Sequence, residues 1–107
     1  MATHTKFDAE HYSITVSGLH VQVTEAMKQY AIERVSKIEK FTNDIIDIHV
    51  TMDIVKLNHI VEISMKLKYL QINSKSQTTD MYASINEAVN KLEKQIRRYK
   101  GRLQEHQ

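Results

Sequence analysis

Cysteine and proline are absent from this chain of 107 residues, and glycine occurs only at Gly18 and Gly101. Without cysteine there are no disulfides and no thiolate metal sites, a usage that fits a reducing cytosol. A chain so poor in proline and glycine has few tight loops to shape a buried catalytic pocket, which argues against an enzyme. It has no glycine-rich phosphate loop and no Gly-x-Ser-x-Gly nucleophile elbow. No apolar run approaches the roughly 18 residues of a membrane helix, and the first residues lack a signal peptide's apolar stretch. The expectation is a soluble, cytoplasmic protein with no membrane partner, no small-molecule substrate, no cofactor and no metal. Its length suits one domain with a modest two-layer core.

Residues 1–11 are polar and aperiodic, which predicts a disordered or loosely ordered arm. Tyr12, Ile14 and Val16 then alternate with Ser13, Thr15 and Ser17, the period of a half-buried strand, which Gly18 ends. Thr24 offers a hydroxyl to cap a helix, Glu25 suits its positive first turn, and Met27, Ala31, Val35, Ile38 and Phe41 keep helical spacing. That helix should run from Glu25 to Phe41. Ile46, Ile48, Val50, Met52 and Ile54 alternate with Asp47, His49, Thr51 and Asp53 in a strand with one wet face. After a turn near Lys56 to Asn58, a second long strand points Val61, Ile63, Met65, Leu67 and Tyr69 inward. Gln71 to Thr79 is polar but contains Ile72, and supplies a short strand. Asp80 caps a final helix reaching Leu103. The order β-α-β-β-β-α predicts an α+β two-layer sandwich, a four-stranded sheet with two helices packed on one face, because an antiparallel-rich sheet must cover its apolar side.

The final helix carries two stripes. At 100° per residue, Ile85, Val89, Leu92, Ile96, Tyr99 and Leu103 form a narrow apolar arc, and Lys91, Lys94, Arg98 and Arg102 form a basic one. From Lys91 to Arg102 there are six basic residues and one acid, a local +5 in a chain of net +2. A cationic row on a rigid helix beside a packed seam is the footprint of a polyanion binder. A solvated basic helix end, favoured by the helix dipole, gives the same pattern.

Other candidates are weaker. His4, His11, His20, His49, His59 and His106 include no His-x-x-x-His pair. His49 with Asp47 and Asp53 lies on a strand's polar face, which suits a plain wet strand better than a metal site. Met27, Met52 and Met65 fit core positions. Tyr82 fits either an anchor that packs the last helix or a platform for a base.

The stretch from Asp80 to Leu103, with Asp80-Met81-Tyr82, Ile85 and Lys91-Leu92-Glu93-Lys94-Gln95, resembles the final helix of the ribosome hibernation factors, the family of hibernation-promoting factor and ribosome-associated inhibitor A (protein Y). Val21 to Phe41, with Thr24-Glu25-Ala26 and Lys37-Ile38-Glu39, resembles that family's first helix. The resemblance implies a non-catalytic translation silencer with the same β-α-β-β-β-α order. It would lodge in the small ribosomal subunit, in the channel of mRNA and of the A- and P-site tRNAs. It implies a single ribosome-binding domain over residues 12–104, a tail at 105–107, and an isolated protein that is monomeric. The chain ends without the second domain of the long members, which points to the short form. Matching positions imply rRNA contacts first from Lys91, Lys94 and Arg98, then Arg102, and on the first helix from Lys28, Arg34 and Lys37. Arg34 stands among Met27, Tyr30, Ile38 and Phe41 on the wheel, so it also fits a side chain snorkelling from the core's edge. Lys40, Lys66 and Lys68 extend the basic surface or merely solvate their elements. The rival reading is a structured-RNA-binding module acting off the ribosome, and whether ribosomes are only silenced or also paired into dimers stays open.

Overall fold

The structure, a computed structural model, describes residues 3–8 and 12–105, with side chains from Tyr12 to Lys100. Five strands and two helices follow in the order β1 (Thr3–Asp8), β2 (Ser13–Gly18), α1 (Glu25–Ser36), β3 (Ile45–Val55), β4 (Asn58–Leu67), β5 (Gln71–Thr78) and α2 (Met81–Glu105). The sheet order is β1-β2-β3-β4-β5. β2 and β3 are parallel, joined by the α1 crossover that parallel neighbours require, and every other pair is antiparallel. The expected four-stranded sheet with two helices is present as β2 to β5, with β1 added as a fifth strand.

The caps form where the sequence places them. The Met27 amide donates to Thr24 Oγ1 at 3.1 Å, and the Ala83 amide donates to Asp80 Oδ2 at 3.1 Å. Each satisfies an amide that has no partner within its helix. The first helix is shorter than expected, because its last turn tightens into a 3-10 helix over Lys37–Phe41. There Tyr12 donates its hydroxyl to Glu39 Oε2 at 2.8 Å, tying the start of β2 to this segment. Burial, reinforced by the acidic partner, pushes the Tyr12 phenol well above its ordinary pKa.

One continuous core joins the layers. Ile14, Val16, Ile48, Val50, Met52, Val61, Ile63 and Met65 from the sheet meet Met27, Ala31, Val35 and Ile38 below α1 and Ile85, Val89, Leu92 and Ile96 below α2. Gly18 closes β2 because the chain turns back on itself. A Cβ there would strike the Val21 carbonyl oxygen and lie 2.8 Å from Val23 Cγ2.

Four expectations change. Thr3–Asp8, read as part of a loose arm, forms an edge strand paired with β2 from Thr3 opposite Gly18 to Asp8 opposite Ser13. Ile46 is exposed instead of buried, because a register irregularity between Ile45 and Asp47 moves Ile45 into the core. Tyr69 is 74% exposed, since β4 stops at Leu67 and the turn swings the ring outward beneath the Lys68 ammonium. The fourth change is in β5, which is a full eight-residue strand with a largely hydroxyl inner face. Ser74 Oγ donates to the Ala88 carbonyl at 2.8 Å, Ser76 Oγ donates to the Ser84 carbonyl, and Ser84 Oγ donates to the His59 carbonyl at 2.6 Å. These bonds join α2 to the sheet where sequence hydropathy shows only a polar strand. The β3–β4 turn falls where it is expected, and Lys56 in it takes a left-handed φ of 59°.

Candidate nucleic-acid interface

The apolar arc of α2 is buried as its spacing requires: Ile85, Leu92 and Ile96 are fully enclosed, Val89 nearly so, and Tyr99 lies half-buried at the rim. Burial of that arc fixes the helix's rotation, and Lys91, Lys94 and Arg98 consequently emerge on its outer surface. The rise of about 1.5 Å per residue separates Lys94 from Arg98 by about 6 Å along the axis. Between Glu87 and Lys100 the helix carries five cations and two anions. Such a row can meet successive phosphates, and arginine adds a bidentate grip.

The three residues are not equivalent. The Lys91 ammonium donates to the Lys75 carbonyl at 2.8 Å and lies 3.5 Å from Glu87 Oε1, so part of its capacity is already used at the edge of β5. Beside it the Gln95 amide donates to the Asn73 carbonyl at 2.6 Å. Lys94 is exposed. Arg98 lines a cleft of about 430 Å³ with Leu70, Ile72, Gln95 and Tyr99, between β5 and α2. Arg102 lies on the last turns of α2, and its side chain is outside the described residues, as is that of Leu103.

The α1 candidates divide. Lys37 is exposed and lies near Tyr30 around the helix, on the flank that faces α2. Arg34 is half-buried on the same flank with its Nε buried and without a hydrogen-bond partner. Lys28 is not brought into this group. It lies about 160° around the helix from Tyr30, its side chain is 19% exposed, and its ammonium is 3.2 Å from Glu25 Oε2. The Gln29 hydrogen bond, followed by Lys28, holds the Glu25 carboxyl below its ordinary pKa.

Tyr82 packs on α1. Its ring meets Tyr30 edge to face at 5.1 Å, and Asn86 donates to the Tyr30 hydroxyl at 2.6 Å. Tyr82 remains 38% exposed. Further along the same seam, Arg97 lies 5.1 Å from the Phe41 ring centroid, as does the Lys40 ammonium, and is held by Glu93 at 3.0 Å. Sequence reasoning does not single out Arg97, nor does it bring together Lys40 and Lys100, the two cations of a cleft of about 270 Å³ lined also by Phe41, Thr42, Asn43, Asp44 and Tyr99. The signal for them was the basic surplus itself; which cations meet across the helices depends on how α1 lies against α2.

On the open sheet face, His49 Nε2 is 3.6 Å from Asp47, but Asp53 turns to His20 at 2.9 Å. The three do not converge, and no group of three or more potential metal-ligating side chains exists among the described residues. Burial pushes the Asp53 carboxyl up, and the His20 hydrogen bonds and charge more than offset it, leaving it below its ordinary pKa. Lys66 and Lys68 are exposed on β4 and its following turn. No described helix is long and apolar enough to cross a membrane.

This arrangement has counterparts. The family model described as sigma 54 modulation protein / S30EA ribosomal protein matches residues 14–104. The chain belongs to that family. Members similar to it include the ribosome hibernation promoting factor of Salmonella typhimurium, 27% identical over 93 residues that span 87% of this chain and 98% of the relative. The ribosome hibernation promoting factor of Pseudomonas putida is 29% identical, covering 85% of this chain and 89% of its own. Among solved structures, a ribosomal subunit interface protein from Coxiella burnetii superposes with a TM-score of 0.76 at 28% identity, covering 85% of this chain and 98% of that one. The protein Y N-terminal domain of Thermus thermophilus shares the fold, with a TM-score of 0.73 at 20% identity, over 87% of this chain and 99% of that one. The family that the two helix motifs resemble is thus the one to which the chain belongs.

Proposed function

We propose that this protein is a cytoplasmic ribosome hibernation factor whose domain, residues 12–104, binds the small ribosomal subunit in the channel of mRNA and tRNA and so inhibits translation. The observation that carries the reading is the rigid cationic row of α2, Lys91, Lys94 and Arg98, presented outward by a fully buried seam. Membership of a family whose relatives are named for ribosome hibernation supports it. The row, with Arg102, is the principal rRNA contact. Lys37 and Arg34 extend it across the helix seam, and Tyr82 offers an exposed ring for a base. Lys28, covered and paired, contributes least.

The chemistry is exchange of counterions for phosphates. Each cation that meets a phosphate releases a condensed ion, so affinity falls by about 0.7 to 0.9 log units per tenfold rise in salt for each contact. Sedimentation of ribosomes with and without the protein tests the reading. Co-migration with small subunits at low salt, released steeply as salt rises, is the expected result. Protein that stays in the light fractions while still retarding free structured RNA would favour an RNA binder acting off the ribosome. Binding insensitive to salt would refute the electrostatic account.

A further inference from the structure

Strand β1 precedes the region that the family model matches, which begins at residue 14, yet it pairs with β2 along its whole length. Were it absent, β2 would be the edge of the sheet. An open edge offers unpaired amides and carbonyls to any other strand, and proteins blunt such edges with charge, proline or a bulge. β2 has none of these. Ser13–Gly18 carries no charged residue and no proline, and it pairs with β3 without a register shift. The far edge is guarded by side chains instead, with Lys91 and Gln95 capping carbonyls of β5. β1 itself includes Lys6 and Asp8, so the edge it presents belongs to a strand bearing charge.

We propose that β1 is a guard strand that keeps this protein monomeric, and that the β2 edge beneath it is a latent docking edge for β2 of a second copy of the chain. The sequence of β2 is self-complementary about a twofold axis. In an antiparallel pairing centred on Thr15, Ile14 stands opposite Val16 of the second copy and Ser13 opposite Ser17. Opposed residues share a face of the sheet, so apolar meets apolar on the core side and hydroxyl meets hydroxyl on the open side. No like charges face each other across that pairing, and the contact closes as a dimer instead of propagating.

The family model matches residues 14–104, which hold β2 to β5 and both helices and leave β1 out. A chain of residues 12–107 and the full chain are therefore compared by size-exclusion chromatography with light scattering over a range of concentrations, with circular dichroism reporting the fold. The full chain should stay monomeric, and the shortened one should double in mass. Thr15→Lys in the shortened chain should restore the monomer, because two ammonium groups would meet on the axis. A folded shortened chain that remains monomeric at every concentration overturns the proposal, and so does a dimer indifferent to Thr15→Lys. If the shortened chain does not fold, the full chain with Thr5→Pro and Lys6→Pro decides. Successive amides point to opposite sides of a strand, so one of the two prolines removes a bond to β2. A monomer there overturns the proposal, and a dimer upholds it.

Discussion

Leu92 lies at the centre of the seam that orients the cationic row, and it is fully buried. Leu92→Ala removes three buried carbons, worth about 2.4 kcal/mol at roughly 0.8 kcal/mol per methylene. A residual cavity of roughly 50 Å³ adds about 1.2 kcal/mol. Alanine and leucine differ little in helix propensity, so nothing offsets this. The expected cost is about 3.5 kcal/mol, a large fraction of the roughly 5 to 15 kcal/mol that holds a domain together, and a fall in Tm of about 15 to 25 °C. Calorimetry measures it directly. Ribosome co-sedimentation, followed across temperature on the same protein, should be lost in step with unfolding, since fraying of α2 destroys the spacing of Lys94 and Arg98. A variant that melts within a few degrees of the parent would refute the packing argument. One that keeps its Tm but no longer sediments with ribosomes would show that the seam faces the partner and that the helix orientation is wrong.

Lys94→Glu with Arg98→Glu should abolish small-subunit binding while shifting stability by no more than about 0.5 kcal/mol, because both side chains are exposed; binding that survives both reversals would remove the row from the interface. Gly18→Ala should lower stability by about 1 to 3 kcal/mol, as the new methyl meets the Val21 carbonyl, a backbone atom that cannot step aside cheaply; an unchanged melting curve would mean that the loop after β2 relaxes freely. Asp53, whose folded pKa lies below its ordinary value, stabilises the fold above the unfolded carboxylate pKa of about 3.9, and that contribution disappears as pH falls through the folded value. Asp53→Asn should therefore flatten the acid side of a Tm profile below about pH 4, and a parallel profile would show that the His20 contact contributes nothing.

Local chemistry determined much of this protein. The periods of two and 3.6 placed β2 to β4 and both helices, Thr24 and Asp80 fixed where the helices begin, and the α2 wheel separated buried Leu92 and Ile96 from outward Lys94 and Arg98. These features depend on neighbours a few residues apart, so the chain itself records them. Tertiary structure decided the rest. Ile46 is exposed because of a register irregularity against β4, and Tyr69 because a strand ends two residues early. The serines of β5 turn inward only because α2 supplies carbonyls to receive them, and Lys91 is partly engaged because the β5 edge lies within its reach. Lys28 leaves the basic group and Arg97 joins the helix seam through the way α1 lies against α2. The pairing of Thr3–Asp8 with β2 is likewise invisible in a polar, aperiodic segment. A strand's hydrogen-bond partners come from another part of the chain, and no local pattern encodes an edge left open elsewhere in the sheet.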